Sequence, residues 1–383
     1  MPNAVRVLQR LLPHYRVPVF AELAQHFDDF KVLYGDEHRK DSLRNVTVGP
    51  PWAVKVRNRY LSRECYVGDV TQWLSVGATI VVSGELGNVN LYQVLAKRRA
   101  KGYRVIIWTF GYDPRFGFHP RRRAEDAVRR RLYQAADAVL FYWEGGRRAV
   151  EAAMGPRESF FTAPNTLDTP TLRKLSNGLD AKGREKVRSE LRLSSDAPHF
   201  VYIGRLLADK EIDRLLAAWR FVVAEEPTYQ LSIIGDGPLR NTLEEMARAL
   251  GICVRFVGEV TEPADVGAWL SASNALVMPG RLGLSVIHAF CFGVPVISQH
   301  KEGNFHGEGI GYLRDGENGR LVADGDIMGL SAAILELGRN TEIGAALSNG
   351  ARRTAEQEGS LATMVQGFCN AIEYVNAKRQ PCG

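Results

Sequence analysis

The amino-acid sequence predicts an α/β protein of two domains, each built on a parallel β-sheet that helices cover on both faces. Short apolar segments with the length of buried strands alternate with amphipathic segments at helical spacing along most of the 383 residues. The alternation breaks between Pro164 and Pro198 and resumes at His199. A chain of this length is too long for one ordinary core and fits two domains of roughly 150 to 200 residues.

The first half alternates predicted strands with predicted helices. Strands are expected at residues 4–8, 30–34, 78–82, 104–109 and 138–142. Helices are expected within residues 12–23, where the apolar spacing continues to Phe27, and at 91–101 and 124–135. Residues 39–66 are strand-like but ambiguous. Residues 164–170 are expected to link the two domains, and a charged helix is expected at 182–191.

The second half repeats the same organisation. Strands are expected at residues 199–203, 231–234, 254–257, 275–278 and 294–298. Helices are expected at 212–223, at 239–250 and from about 283 to 293. Residues 316–326 are rich in turn-forming residues, and two or three closing helices are expected from 326 to about 378.

Positive charge is concentrated in the first half of the chain. Up to Pro170 there are 26 Lys and Arg residues against 17 Asp and Glu, whereas the remainder has 23 against 26. The basic residues cluster at 97–99, 121–123 and 129–131, and the last two clusters are expected on one helix. Such a surface suits a phosphorylated acceptor, an anionic membrane leaflet or nucleic acid. A solvated helix face explains the same pattern, and nucleic acid is disfavoured because no aromatic residues are interleaved with the clusters.

Neither a membrane span nor a secretory signal is apparent. No apolar run approaches the roughly 18 residues of a membrane span, and residues 1–16 lack the continuous apolar core of a signal peptide. We therefore expect a cytoplasmic protein that associates peripherally with the inner membrane surface. The cysteines are odd in number, without zinc-like or redox spacing, and are expected to be reduced and mostly in the core: Cys65, Cys253, Cys291, Cys369 and Cys382.

The segment 275–298 is predicted to form a strand, a glycine-containing loop, a helix and a second strand. The first strand stops at the proline-glycine pair 279–280, and the helix opens at Gly283, Leu284 and Ser285. Backbone N–H groups at such a helix start have no partner within the helix, and the helix dipole attracts an anion. We expect a diphosphate to bind at these three residues. The alternative is an ordinary α/β turn in which glycine serves only packing.

A second candidate anion site follows the predicted strand 199–203. The loop begins at Gly204 and carries Arg205 and Lys210. In a doubly wound sheet, the loops after the carboxyl ends of the strands face the ligand crevice, so these cations and the Gly283 loop are expected at one edge. Arg offers a planar fork for phosphate oxygens and Lys a compact charge, and together they suit a leaving diphosphate.

The same reasoning gives candidate ligand contacts in the first half. Tyr15 and Arg16 follow the first predicted strand. The long loop after residues 104–109 carries Asp113, Arg115 and His119, of which the histidine titrates near neutral pH when unperturbed. We expect these five residues to contact the reacting sugar or the acceptor. An exposed or merely structural role remains open for Arg16 and His119.

Five motifs in the second half together resemble a known family. In order, they are GRLLADK, IIGDGPLRNTLEEMARALG, VRFVGEV, PGRLGLSVIHAFCFGVPVIS and DGENGRLV. They resemble the retaining, nucleotide-sugar-dependent glycosyltransferases of the GT-B fold, in particular the family-four group that includes transferases of bacterial cell-surface polysaccharides. The likeness is dense over residues 200–326 and thin over the first half.

The resemblance implies two Rossmann-like domains facing across a cleft. Residues 1–168 would hold most of the acceptor, residues 169–360 would bind the nucleotide sugar, and a helix within 361–383 would cross back to the first domain. It also implies roles for single residues. Arg205 and Lys210 would hold the diphosphate, the amides of residues 283–285 would hold phosphate or sugar, and the backbone around Glu259 and Val260 would meet the base.

One departure from the family pattern concerns two glutamates eight positions apart, which contact the donor sugar and the ribose. The corresponding positions here are Gly280 and His288, neither of which is acidic. A histidine ring nitrogen can hydrogen-bond ribose hydroxyls, so His288 is kept as a donor-binding candidate. How the sugar is held is left open.

The expected reaction is sugar transfer from a UDP- or GDP-linked donor to a glycan or lipid-linked acceptor, with retention of configuration as the resemblance implies. No metal-binding carboxylate pair is apparent, so we expect transfer without a metal and without a further cofactor. Two alternatives remain. One is a sugar-nucleotide epimerase of the same fold, and the other is a non-catalytic subunit that binds nucleotide.

Overall fold

Two separate parallel β-sheets organise the chain. The computed structural model describes residues 4–39, 44–47, 49–301 and 306–378. The chain divides into two compact units, the first comprising Met1–Asp168 with Leu361–Gly383 and the second Thr169–Ser360. Each unit contains one parallel sheet with its helices. The predicted class of two parallel-sheet α/β domains is confirmed.

The strands fall close to the predicted positions. Those of the first unit are β1 Val5–Gln9, β2 Phe30–Tyr34, β3 Ala53–Lys55, β4 Asn58–Tyr60, β5 Tyr66–Gly68, β6 Thr79–Ser83, β7 Arg104–Thr109, β8 Ala138–Phe141 and β9 Phe160–Thr162. Those of the second unit are β10 His199–Ile203, β11 Gln230–Ile234, β12 Arg255–Gly258, β13 Ala275–Met278, β14 Val296–His300 and β15 Gly319–Ala323.

Helices connect the strands and close the chain. The helices up to the second sheet are α1 Val17–His26, α2 Val89–Lys101, α3 Ala124–Ala135, α4 Glu144–Met154, α5 Thr169–Lys182 and α6 Arg184–Glu190. The later helices are α7 Ile212–Glu225, α8 Arg240–Ala249, α9 Pro263–Ser271, α10 Ser285–Cys291, α11 Ile327–Arg339, α12 Thr341–Gln357 and α13 Leu361–Ala377.

Both sheets reverse their strand order at an internal position. The first has the order β3-β2-β1-β6-β7-β8-β9 and the second the order β12-β11-β10-β13-β14-β15, with parallel pairing throughout. The reversals lie between β1 and β6 and between β10 and β13. At such a point the loops after two neighbouring strands leave in opposite directions and open a crevice, so each unit has one favoured ligand position at the carboxyl edge of its sheet.

The central strands are apolar because helices cover both faces of the sheets. Every residue of β6 and of β13 is buried, as expected for parallel strands in the middle of such a sheet. The last helix, α13, belongs to the first unit and packs on α1, β8 and β9. Its Phe368 ring lies 4.9 Å from that of Trp108 in β7, and its Asn376 accepts a 3.0 Å hydrogen bond from Thr79.

The predicted linker is shorter than the sequence suggested. Residues 164–170 were expected to connect the domains, but α5 begins at Thr169. Pro170 is the second residue of that helix, where a missing N–H removes no helical hydrogen bond. The Asn177-Gly178 pair, which resembles a turn, lies inside α5, because tertiary packing overrides local preference.

Several short elements are not indicated by the sequence pattern. Strand β15 lies within residues 316–326, which were expected to form turns, and it pairs with β14 in parallel. Its first residue, Gly319, has no room for a side chain, because a Cβ there would lie 2.1 Å from the carbonyl oxygen of Val296. The pattern also does not indicate β9 or α4, and β14 begins two residues later than predicted.

The cysteines are only partly in the core. Cys291 and Cys369 are buried, Cys65 is partly buried and Cys253 is exposed, and all four are free thiols. The prediction of mostly core cysteines therefore holds for two of these four. The remaining one, Cys382, lies outside the described residues.

Candidate functional site

The loops after β10 and β11 are held together by glycines at the carboxyl edge of the second sheet. Gly235 has φ +134°, and a Cβ there would lie 1.9 Å from the carbonyl oxygen of Gly204. The two loops continue in contact, since the Leu206 amide donates to the Asp236 carbonyl at 3.0 Å. Gly204 is therefore positioned by backbone contacts at the edge where a ligand crevice is expected.

The loops after β10 and β13 meet across the switch point. The Gly280 amide donates to the Lys210 carbonyl at 3.1 Å, and the Arg281 amide donates to the Asp209 carbonyl at 2.8 Å. The Lys210 ammonium group donates a 2.6 Å hydrogen bond to the Arg281 carbonyl. Lys210 thus lies against the glycine loop, although 71 residues separate it from Arg281.

The amides at the start of α10 lack a hydrogen-bond acceptor in the described part of the protein. Among the described residues, none accepts a hydrogen bond from the amides of Gly283, Leu284 or Ser285. A Cβ on Gly283 would meet no heavy atom of the described residues within 4 Å. The Ser285 hydroxyl contacts the Met278 sulfur at 3.1 Å. Amides without an acceptor among the described residues, in a loop that an ammonium group contacts, are suited to phosphate oxygens.

Electrostatics around Lys210 favour an anionic partner. Burial lowers the pKa of Lys210, and the positive charges of Arg281 and Arg205 lower it further, while Asp209 and Glu308 oppose the shift. Arg205 itself is exposed. A bound diphosphate would reduce this repulsion among cations, because its negative charge favours the protonated lysine.

Gly280 leaves no room for a side chain. A Cβ at this position would lie 2.3 Å from the carbonyl carbon of Lys210, well inside van der Waals contact. A glutamate at residue 280, as the family pattern has it, would require this loop to move away from Lys210. The departure seen in the sequence therefore coincides with direct contact between the two loops.

His288 is partly buried in α10, and one of its ring nitrogens is shielded from solvent. Its Nε2 is shielded from solvent and has no hydrogen-bond partner in the described part of the chain, and burial lowers the pKa of the ring to about 4. Its ring lies 5.6 Å from that of Phe292. A neutral imidazole whose Nε2 is shielded cannot offer that nitrogen to a ribose in this arrangement.

His306 is a residue of this site that the sequence pattern did not indicate. His306 is buried, accepts a 3.3 Å hydrogen bond from the Leu282 amide at Nδ1 and contacts the Gln299 carbonyl through Nε2 at 2.8 Å. These partners require the neutral tautomer with its proton on Nε2. Burial chiefly lowers the pKa of His306 to about 4. The histidine thereby fixes the glycine loop to β14, and no local sequence pattern indicates a contact over 24 residues.

The residues expected near the base lie after β12. The Gly258 carbonyl accepts a 2.7 Å hydrogen bond from the Gly235 amide, which ties this loop to the one after β11. Glu259 is exposed and Val260 is partly buried. Both lie at the same carboxyl edge as Lys210, because β10, β11 and β12 are parallel.

In the first unit, Arg16 is packed into the protein. Its guanidinium lies 4.2 Å from the centroid of the Trp108 ring and 5.7 Å from that of Tyr15, within cation–π distance. It also donates to the Gln9 side chain at 3.3 Å. Arg16 and Tyr15 therefore lie at the end of β1, beside the switch point of the first sheet.

A charged cavity lies at the carboxyl edge of the first sheet. Asp113 and Arg115 form a pair with distances of 3.0 and 2.7 Å, and the Arg115 guanidinium lowers the pKa of the Asp113 carboxyl. Both line a cavity of about 500 Å³. The charged residues of its lining that the structure describes are four arginines and four carboxylates: Arg10, Arg63, Arg115 and Arg129 with Glu64, Glu85, Asp113 and Glu125. His119 is exposed and lines a different cavity with Arg121 and Arg122.

The basic clusters do not share one helix. Residues 121–123 precede α3, which begins at Ala124, so only 129–131 are helical. Two of these arginines are structural, because Arg123 and Arg129 pair with the fully buried carboxylate of Asp126 at 3.5 and 2.7 Å. Asp126 also accepts a hydrogen bond from the His119 amide at 3.0 Å. Arg121, Arg122 and Arg131 are exposed.

Residues 197–340 match the family model described as glycosyl transferases group 1. The chain is 27% identical over 278 residues to a GDP-mannose-dependent alpha-(1-6)-phosphatidylinositol monomannoside mannosyltransferase of Mycolicibacterium smegmatis, covering 70% of this chain and 66% of that protein. It is 33% identical over 155 residues to the lipopolysaccharide core biosynthesis glycosyltransferase LpsE of Rhizobium meliloti, covering 39% of this chain and 42% of that protein. The chain thus spans less than two thirds of the length of either relative.

Solved structures resemble the whole chain. Alr3699/HepE of Anabaena, crystallised in complex with UDP, superimposes with a TM-score of 0.68 at 15% identity over 97% of this chain and 99% of that one. A glycosyltransferase from Rickettsia africae superimposes with a TM-score of 0.71 at 10% identity over 99% of this chain and 100% of that one. At these identities the likeness concerns the fold, and it confirms the GT-B class.

Proposed function

We propose that the protein is a glycosyltransferase that moves a sugar from a nucleotide-diphosphate sugar to a glycan or lipid-linked acceptor in cell-surface polysaccharide or glycolipid synthesis. The contact between the Lys210 ammonium group and the Arg281 carbonyl carries the proposal. It ties Lys210 to the loop that carries three amides, residues 283–285, which have no hydrogen-bond acceptor among the described residues, and this supports a shared anion site. The match to the group 1 glycosyl transferases over residues 197–340 supports the same reaction class.

In this proposal, the second unit stabilises the leaving diphosphate. Breaking the bond between sugar and phosphate leaves negative charge on the departing oxygen. Lys210, Arg205 and the amides at the start of α10 would receive that charge with preorganised donors, which is an efficient form of catalysis. We propose that these groups suffice without a metal. We also propose retention of configuration by attack from the leaving-group face, with the leaving phosphate accepting the acceptor's proton.

The proposed donor carries UDP or GDP. The Mycolicibacterium relative is named as GDP-mannose-dependent, and the Anabaena structure contains UDP. The sugar would lie near Gly283, and Glu259 and Val260 would flank the base. Gly280 offers no side chain to the sugar, so its hydroxyls would be held by backbone amides or by groups of the turn that contains His306 and Glu308.

The proposed acceptor site is the charged cavity of the first unit. Carboxylates such as Asp113 accept hydrogen bonds from sugar hydroxyls, and arginines such as Arg115 donate to them. Arg16 and Tyr15 lie beside the switch point of the same sheet. Over the part of the chain that the structure describes, no helix is long and apolar enough to cross a membrane. We propose peripheral contact with anionic lipid through the exposed arginines near α3.

Release of nucleoside diphosphate tests the proposal. The full chain would be incubated with UDP-glucose, UDP-galactose, UDP-N-acetylglucosamine and GDP-mannose, each with and without short glycan or lipid-linked acceptors. A transferase releases UDP or GDP from one donor and does so faster with an acceptor. EDTA should leave the rate unchanged if the proposed metal independence is right. If the protein binds UDP or GDP but releases neither from any donor, the proposed turnover is wrong.

The second candidate is a non-catalytic subunit that binds the nucleotide sugar. The packing of Gly280 against Lys210 favours it, because the site lacks the acidic side chain that the family pattern places near the donor sugar. Such a subunit would bind UDP or GDP in calorimetry and release none from a donor. An epimerase would be recognised by a rearranged sugar that remains attached to its nucleotide.

A further inference from the structure

The residue after Lys210 has an unusual backbone conformation. Glu211 lies at φ +50° and ψ 42°, between the short 3-10 turn Ala208–Lys210 and the first residue of α7. Residues with a Cβ adopt this left-handed region rarely, whereas glycine enters it readily. Among the described residues, only Arg192 and Glu211 combine a side chain with a positive φ. Strain of this kind is retained where surrounding contacts compensate for it, often near functional sites.

A closed ring of charges holds the Glu211 side chain. Its carboxylate pairs with the ammonium group of Lys301 and lies 3.2 Å from Arg214. Asp324 contacts the same two cations, at 2.6 Å from Lys301. The Lys301 side chain is 5% exposed. A buried ammonium group is costly unless it is paired, so Lys301 needs these carboxylates where they are.

Strand register brings the ring together. His300 and Ala323 are partners in the parallel pairing of β14 with β15, so the residues that follow them, Lys301 and Asp324, leave the sheet side by side. Arg214 is in the first turn of α7, and its backbone amide donates to the Glu211 carbonyl at 3.1 Å. The ring thus connects the ends of two strands to the residue that precedes α7.

The conformation of Glu211 sets the direction of the peptide group before it. The carbonyl of that group belongs to Lys210 and accepts the 3.1 Å hydrogen bond from the Gly280 amide. A change of φ at residue 211 would turn α7 relative to this carbonyl and break the contact. The ammonium group of Lys210 would then lose its position beside the Arg281 carbonyl.

We infer that Glu211 is a positioning residue, whose ion pairs with Lys301 and Arg214 keep Lys210 against the glycine loop of residues 280–283. The inference rests on the proposed function, in which Lys210 binds the donor diphosphate. A glycine at 211 would adopt the same φ without strain, but it would leave the loop free to take other conformations and would remove one partner of Lys301. Glutamate at this position is strained in its backbone, but its ion pairs fix the position of Lys210.

Calorimetric binding of diphosphates and monophosphates to the full chain tests this inference. UDP, GDP, UMP and GMP are the probes, and the variants are Lys210→Ala, Glu211→Gly, Glu211→Gln and the double variant K210A/E211G. Lys210→Ala should weaken diphosphate binding roughly tenfold or more and leave monophosphate binding unchanged. Glu211→Gly should weaken diphosphate binding by about fivefold and should also leave monophosphate binding unchanged. Glu211→Gln should lie between Glu211→Gly and the original protein, because its amide oxygen still accepts from Lys301.

The double variant separates positioning from general damage. If Glu211 acts through Lys210, Glu211→Gly has no further effect in the Lys210→Ala background. Arg192→Gly is the matched control, because it relieves the same backbone strain at the end of α6, where the neighbouring Leu191 contacts β12 at the opposite edge of the sheet. It should leave nucleotide affinity unchanged.

The outcomes distinguish the two proposals. Equal loss of diphosphate and monophosphate affinity in Glu211→Gly, or additive effects in the double variant, would overturn the positioning role. A normal diphosphate affinity in Glu211→Gly would overturn the positioning role as well. If Lys210→Ala nevertheless binds diphosphates more weakly, the proposed function stands. A Lys210→Ala variant that binds UDP and GDP normally would overturn the diphosphate role of Lys210 itself, and the positioning inference with it.

Discussion

The Lys210 ammonium group donates a 2.6 Å hydrogen bond to the carbonyl oxygen of Arg281, which joins the loops that follow two adjacent strands, β10 and β13. The strand order reverses between these two strands. A side chain in one loop and backbone donors in the other therefore meet at the position where doubly wound sheets hold ligands. The arrangement depends on the topology of the sheet, because the two loops are far apart along the chain.

Replacing Lys210 should impair donor binding without unfolding the protein. A charge-assisted hydrogen bond contributes about 1.5 to 3 kcal/mol, so Lys210→Ala should weaken UDP or GDP binding by roughly 10- to 150-fold and lower turnover at least as much. The exposed Lys186 in α6 provides a control of the same residue type. Titration calorimetry and nucleotide release measure both effects, and equal behaviour of Lys210→Ala and Lys186→Ala would contradict the proposed role.

Adding a methyl group at residue 280 should separate the two loops. A Cβ there would lie 2.3 Å from the Lys210 carbonyl carbon, so Gly280→Ala should lower both the free energy of unfolding, by about 1 to 3 kcal/mol, and nucleotide affinity. Gly178→Ala is the matched control, since a Cβ at that position in α5 meets no atom of a described residue within 4 Å. Higher helix propensity should stabilise the control by about 0.5 to 1 kcal/mol. Urea unfolding compares the two, and a Gly280→Ala variant as stable as the original would show that the loops yield easily.

Acid should destabilise the second unit through buried histidines. Burial lowers the pKa of His306 to about 4 and that of His199 to about 3, against 6.5 for an unperturbed ring. Between pH 6.5 and the folded-state pKa, the unfolded chain binds protons that the folded chain does not, so the free energy of unfolding falls as the pH falls. This loss of unfolding free energy is absent well above pH 6.5. For His306 it reaches about 3 kcal/mol once the pH is below its folded-state pKa.

A glutamine can take both hydrogen bonds of His306 without titrating. His306→Gln should therefore reduce the slope of the unfolding free energy between pH 6.5 and 4, measured by urea unfolding at a series of pH values. His26 is an exposed histidine in α1, and His26→Gln should leave the slope unchanged. An unaltered slope in His306→Gln would mean that the ring is already protonated in the folded state.

Membrane contact, if it uses the basic surface, should depend on a subset of the arginines. Each Lys or Arg near an anionic surface contributes about 1 kcal/mol, so replacing Arg121, Arg122 and Arg131 by alanine should weaken binding to phosphatidylglycerol vesicles by roughly 100-fold. Vesicles of phosphatidylcholine should bind neither form. Sedimentation with the vesicles measures this, and retained binding in the triple variant would remove this surface from the proposal.

The arginines beside Asp126 must stay in place for that experiment. Arg123 and Arg129 pair with its fully buried carboxylate, so their removal would leave an uncompensated charge and cost about 3 kcal/mol. A variant lacking all six arginines would confuse loss of folding with loss of membrane contact. The structure thus divides a cluster that looks uniform in the sequence.

The sequence determined most of the strands, the two-domain organisation and the class of fold, because buried parallel strands require continuous apolar segments that local composition displays. Strand β7 over Arg104–Thr109 and strand β10 over His199–Ile203 begin and end at the residues that the apolar pattern indicates. Motif spacing also placed Arg205, Lys210 and Gly283 after strands of the second sheet. Each of these inferences needs only the chemistry of neighbouring residues.

Only the tertiary structure decided which of those residues are in contact and which of them stabilise the fold. Whether Gly280 has room for a side chain depends on the Lys210 carbonyl, and whether His306 is neutral depends on Leu282 and Gln299. The left-handed Glu211 likewise pairs with a lysine 90 residues away. Such contacts join residues that are distant along the chain, and burial with hydrogen bonding sets their energies, so neither spacing nor residue type could reveal them.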